Sequence, residues 1–205
     1  LPSTAIHNKK LRLCAVGGFY YLYNMNIVPP SKPKMTKEEV EKELSNFDVS
    51  RYPVRLLGIR GYYSKSMGKT PNNERNIYDD AIFIVSPDYF FFFFANTDPS
   101  ITRKGIAVLK AGGVYLYKIG LHNMKNPYKA LRQHGRVTVL RDGKEDTDTA
   151  KAPFYIDIHK GGFNTTSSLG CQTIYPLQWV YFLSNVEAEL EKNNQTIIPY
   201  CLIEM

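Results

Sequence analysis

The residues best suited to chemistry share one stretch, Phe154-Tyr-Ile-Asp-Ile-His-Lys-Gly-Gly-Phe-Asn-Thr-Thr-Ser-Ser-Leu-Gly-Cys-Gln-Thr-Ile174. It holds an imidazole, His159, and a thiol, Cys171, twelve positions later. A free thiol is only a few per cent ionised at neutral pH, so a nucleophilic cysteine needs a base beside it. The β-branched and aromatic run over 154–158 predicts a strand that delivers His159 at its end. A Gly- and hydroxyl-rich loop follows, and Ser168-Leu169-Gly170-Cys171 stands just ahead of a helix expected from Pro176. Backbone N–H groups at a helix N-terminus would lower the thiol pKa. Gly170 carries no Cβ, so the amides of Gly170 and Cys171 are candidates for an oxyanion hole, with Ser168 shaping the loop. The alternative for the same residues is structural: a half-buried thiol and a hydrogen-bonded imidazole at a strand end.

Further polar residues are candidates for substrate contact. Asn96-Thr-Asp-Pro99 reads as a turn or as a pocket rim, with Asn96 or Asp98 touching substrate. His122, in Gly120-Leu-His-Asn123, is a second candidate, and Gly161 and Gly162 offer close backbone approach. Tyr78-Asp79-Asp80 reads as a solvated start to a strand rather than an acid–base pair. Histidines and cysteines show no close-spaced ligand pair, so neither metal nor cofactor is expected. Lys125, Lys129, Arg132 and Arg136 could line one face of a short helix. Without a zinc-finger or RRM signature, nucleic acid is not an expected partner.

The segment resembles the catalytic stretch of the L,D-transpeptidases, cysteine enzymes that crosslink or trim bacterial peptidoglycan. Ile158-His159 with Gly161-Gly162 is similar to the first half of the family pattern, and Ser168-Leu169-Gly170-Cys171 to the second. The resemblance covers roughly twenty of the 205 residues. It implies Cys171 as nucleophile, His159 as general base and amides near Gly170 and Cys171 as oxyanion hole. It also implies a mostly β fold, stem peptides of peptidoglycan as substrate, and a place in the cell envelope, the periplasm or outside the cell, with delivery by phage or a secretion system one route. This chain departs from the family in a shorter His–Cys interval, in Leu169 where the family has a second His, in Gln172-Thr173 after the Cys and in Lys160 after the His.

The surrounding elements must position these groups. Short β-branched and aromatic runs predict strands near 54–59, 80–86, 89–95, 105–109, 113–119, 136–141, 154–158 and 197–203. Their spacing implies a mainly β (α+β) chain, an antiparallel β-sandwich or open barrel. The five-phenylalanine run reads as a central strand buried on both faces. Thr36 with Glu39 forms a capping box for a short N-terminal helix. Leu177, Val180, Tyr181, Leu183, Val186 and Leu190 recur at near-helical spacing in one long C-terminal helix. Leu11 to Tyr23 is strand-like. We expect one catalytic domain over 1–205, with 1–50 an accessory or capping segment and 51–205 the core.

Composition bounds the rest. Hydrophobic residues at 43% and 15 Tyr with 11 Phe exclude a disordered chain. Three cysteines cannot all pair, and Cys14 and Cys201 lie in apolar runs suited to a core. No apolar run reaches the ~20 residues of a membrane-spanning helix. A net charge of +7 suits an anionic partner without naming one, so a non-catalytic basic module for cell wall or nucleic acid stands as the alternative function. The chain opens on Leu1, which suggests a processed or excised piece.

Overall fold

The computed structural model describes residues 11–16, 19–24, 27–67 and 73–205, the first two stretches as backbone only. Strands β1 (Leu11–Val16) and β2 (Phe19–Asn24) form an antiparallel hairpin. The expectation that Cys14 is a core residue lies outside the described side chains. Helix α1 (Lys37–Leu44) starts at the capping box read from the sequence: Thr36 Oγ1 accepts from the Glu39 amide, and Glu39 accepts from the Thr36 amide. It lays Val40 and Leu44 on the outside of a sheet, against Leu57, Phe83 and Val85.

That sheet is a barrel of eight strands. In chain order they are β3 (Arg55–Arg60), β4 (Asp80–Val85), β5 (Phe90–Asn96), β7 (Gly113–His122), β8 (Tyr128–Gln133), β11 (Ile158–Lys160), β12 (Gln172–Ile174) and β13 (Ile198–Glu204). Round the barrel the order is β11-β12-β5-β4-β3-β13-β7-β8, closed by the pairing of Ile158 with Leu131. The remaining strands are β6 (Val108–Leu109), β9 (Thr138–Arg141) and β10 (Lys144–Thr147), which form a small antiparallel sheet. Arg141-Asp-Gly-Lys144 makes the hairpin turn between β9 and β10, with Asp142 and Gly143 both at positive φ. A single turn, α2 (Ser64–Met67), follows β3, and α3 (Trp179–Lys192) precedes β13.

Alternation along the strands fills the barrel with Leu56, Ile82, Phe93, Tyr117, Leu131, Ile158, Ile174 and Tyr200. Helix α3 adds Trp179, Phe182, Val186 and Leu190 to the same cluster, a stripe at helical spacing. Burial of each large side chain contributes about 1.5–3 kcal/mol.

The chain is mainly β, with one long C-terminal and one short N-terminal helix, as its patterning implies. Of the expected architectures the barrel forms, and it closes. Two strand pairs, β11–β12 and β13–β3, are parallel because long connections return the chain in the same direction. Segment 105–109 keeps only two strand residues, and 154–157 is not a strand. His159 therefore sits inside β11 rather than at the end of a preceding strand. Residues 128–133, the middle of the basic run read as a helix face, form β8. Leu131 occupies the barrel interior, and Tyr128 and Arg132 leave from the other side. The phenylalanine strand is central but not sealed on both faces: Phe93 is buried, whereas Phe90, Phe91, Phe92 and Phe94 are half-buried.

Candidate active site

The parallel pair β11–β12 brings the two chemical groups together. Its register sets Ile158 opposite Gln172, His159 opposite Thr173 and Lys160 opposite Ile174. Ile158 and Ile174 enter the core, so the alternate residues His159 and Thr173 share the outer face. Cys171 immediately precedes β12, and the Gln172 amide donates to the Asp157 carbonyl at 2.9 Å. Cys171 is thus a diagonal neighbour of His159, about 8 Å away between Cα atoms in ideal sheet geometry.

The loop between them is tied down by side-chain bonds. The Gly161 amide donates to the Ile174 carbonyl at 2.9 Å, and Tyr78 donates its hydroxyl to the Gly162 carbonyl at 2.7 Å. A Cβ on Gly161 would lie 2.2 Å from the Tyr78 oxygen, so this position requires glycine for space. Ser168 Oγ donates to the Cys171 carbonyl at 2.6 Å and accepts the Gly170 amide at 3.0 Å. Gly170 has φ +150°, and a Cβ there would press on the Ala107 carbonyl at 3.1 Å. Gly170 and Ser168 therefore shape the loop. The Gly170 amide is committed to Ser168, while the Cys171 amide makes no hydrogen bond among the described residues and is the available oxyanion donor.

His159 is only 6% exposed. Its Nδ1 donates to the Lys160 carbonyl at 2.9 Å, with the Tyr128 hydroxyl 3.5 Å away. That tautomer leaves the lone pair on Nε2, which bonds no protein group among the described residues. The His122 ring stacks on His159 with centroids 4.4 Å apart and planes 16° apart. His122 Nδ1 in turn donates to Asp157 Oδ2 at 2.8 Å, an oxygen that Arg132 Nη1 approaches at 3.1 Å. The Gln133 amide completes the Asp157 carboxylate at 3.0 Å. Burial pushes the His159 pKa down to about 4, and the neighbouring His122 pushes the same way. The imidazole is neutral at pH 7, the form a base requires.

Cys171 is half-buried, and its Sγ donates to the Tyr155 carbonyl at 3.4 Å. Tyr155 has φ +55°, a conformation that a non-glycine residue keeps only when its surroundings hold it. Here the Arg132 guanidinium lies 5.5 Å from its ring. No hydrogen bond joins the sulfur to His159, so any proton transfer between them would first require the thiol to leave the Tyr155 carbonyl. Burial pushes the thiol up to about 12, while the Asp157 amide and Arg132 pull against it. The expectation of a thiol at a helix N-terminus is corrected here. β12 intervenes and α3 begins only at Trp179, so no helix terminus lowers this pKa.

The structure groups His122 with His159 and places Gly161 and Gly162 at the exit of β11. Asn96 pairs with Thr173 and is buried on the face that carries His159, not on a rim. Asp79 and Asp80 are fully buried, contrary to a solvated strand start. Amides of Glu74, Gly61 and Thr97 donate to their carboxylates, and Arg60 lies beside Asp80. Residues that the sequence reading missed are Asp157, Arg132 and Tyr128. Asp157 lies two positions before His159, just ahead of β11, a spacing that was visible in the sequence. A cavity of about 280 Å³ is lined by Gln133, Arg136, Asp148 and Pro153. No family model, curated protein or solved structure matches this chain.

Proposed function

We propose that this chain is a cysteine enzyme that acts on peptidoglycan stem peptides in the cell envelope, as an L,D-transpeptidase or L,D-carboxypeptidase does, through a thioester acyl-enzyme. One observation carries the reading. The His159 ring is fixed through Nδ1 to a backbone carbonyl, with Nε2 unbonded among the described residues, one strand from a half-buried thiol. In the reaction Cys171 turns from the Tyr155 carbonyl to His159 and gives its proton to Nε2 as sulfur attacks the amide carbon. The Cys171 amide holds the developing oxyanion. The C–N bond then breaks, His159 protonates the leaving amine, and the acyl group stays on sulfur. Water or an amine releases it. The substrate class rests on the resemblance of 158–171 to the L,D-transpeptidases, and the net charge of +7 favours encounter with an anionic wall polymer.

Digestion of purified muropeptides, followed by mass spectrometry, tests the reading. Wild type forms trimmed or crosslinked products, and Cys171→Ala loses at least about a thousandfold in rate, as expected for removal of a covalent nucleophile. Absence of product with wild type leaves the basic binding module as the better reading. Product from Cys171→Ala removes Cys171 from the nucleophile's role.

A further inference from the structure

A row of unpartnered buried polar atoms runs across the outer barrel face from the strand next to His159. Register across β4, β5, β12 and β11 lines up four side chains in one row. Thr173 faces His159, Asn96 faces Thr173, and one step beyond the pairing of Asp80 with Ala95 sets Asp79 beside Asn96. Asp79, Asn96 and Thr173 are fully buried. Asn96 Nδ2 and Oδ1, Thr173 Oγ1 and Asp79 Oδ1 have no hydrogen-bond partner among the described residues. Each such atom bears its full desolvation cost unless something bonds to it. The row presents both donors and acceptors, all sealed from solvent. Buried water suits it, since such waters make about three hydrogen bonds to groups of this kind.

The position of the row gives that water a role. On one flank of His159 lie the stacked His122 ring and the Tyr128 hydroxyl. Thr173 occupies the neighbouring strand position, two residues beyond Cys171. We propose that Thr173 and Asn96 hold the water that resolves the acyl-enzyme, so that this chain is a hydrolase in preference to a transpeptidase; the inference rests on the thioester reading above. The water oxygen bonds to the thioester carbon and the C–S bond breaks. The water proton passes to His159 Nε2 and then to the departing sulfur, leaving a carboxylic acid and the free thiol. Thr173 and Asn96 act as positioning residues.

The test follows the mass of the full chain after mixing with a tetrapeptide muropeptide, which separates acylation of Cys171 from its release. In Thr173→Val, an isosteric change that deletes the hydroxyl, release slows about tenfold or more, while acylation stays within about threefold. The adduct therefore accumulates. Thr173→Ser restores release, and Asn96→Leu shifts the balance in the same direction as Thr173→Val. An added amine acceptor, which needs no held water, discharges the Thr173→Val adduct as fast as the wild-type one. Equal slowing of acylation and release, or wild-type turnover in Thr173→Val, overturns the inference while the thioester reading stands. Absence of any adduct on wild type overturns the thioester reading, and the inference falls with it.

Discussion

At the scale of single residues, His159 and Cys171 rest as a neutral imidazole and a neutral thiol. Burial drives their pKa values apart, to about 4 and about 12, so no thiolate–imidazolium pair forms between those limits. Alkylation of Cys171 by iodoacetamide should then rise about tenfold per pH unit from pH 6 to 9, because only the thiolate reacts. A plateau near neutral pH, measured against Cys171→Ala, would reveal an ion pair instead. The same burial couples His159 to stability. Its pKa falls from 6.5 unfolded to about 4 folded, so the unfolded chain binds the proton more tightly. The stabilising contribution is complete above pH 6.5 and is lost as pH falls toward 4, to the extent of about 3 kcal/mol. Denaturant titration of His159→Gln should show a shallower loss of stability across that window than wild type. The candidate pair itself was legible, since an imidazole and a thiol near glycines are visible as letters. Its partners were not. Arg132 and Tyr128 reach His159 or its neighbours only through the closure of β8 on β11, a contact between positions 131 and 158 that no local pattern encodes, and the same closure gives Asp157 its partners.

At the scale of elements, most barrel strands were readable because alternation and β-branching mark them. β3, β4, β5 and β13 fall within a residue or so of the patterned runs. Failures came where tertiary structure overrode composition. The run Lys125 to Arg136 carries four basic residues at spacings that suit a helix, yet Leu131 and Ala130 are buried in a strand. β12 is three residues long and too short to announce itself, although it sets the geometry of Cys171. The Asp79-Asp80 pair looked solvated because carboxylates usually are, but the end of β4 is roofed by chain that supplies amide donors. Burial pushes the Asp79 carboxyl well above the usual carboxylate range, with the adjacent Asp80 adding repulsion. A carboxyl raised in this way stabilises the fold fully below its unfolded pKa of 3.8, and that contribution is lost as pH rises through the folded value. Asp79→Asn keeps the shape without the charge. It should melt at a higher temperature than wild type at pH 9, with the difference shrinking toward pH 4 in differential scanning calorimetry.

At the scale of the whole molecule, the candidate site lies on the thinnest seam of the barrel. β11 is joined to β12 by three residue pairs and to β8 by one, Ile158 with Leu131. Across the barrel, β3 makes five pairs with β4 and five with β13, and its residues Leu56, Leu57 and Ile59 are fully buried. A closed barrel has no free edge, yet its resistance to opening is set by the weakest pairing around the ring. That pairing flanks the strand that carries His159, and the bonds of Asp157 to His122, Arg132 and the Gln133 amide span the gap where the ladder is short. More pairing on the β3 side than on the β11 side suits the proposed reaction, in which Cys171 would turn toward His159 while the scaffold holds register. Amide hydrogen exchange read by mass spectrometry should show the 156–161 segment exchanging well before the 55–60 segment under native conditions. Asp157→Asn, which weakens the bridging carboxylate, should speed exchange at 156–161 and leave 55–60 unchanged. Equal protection of the two segments would mean that the side-chain bridges make the seam as strong as a full ladder, and the rotation of Cys171 would then have to occur within a rigid wall.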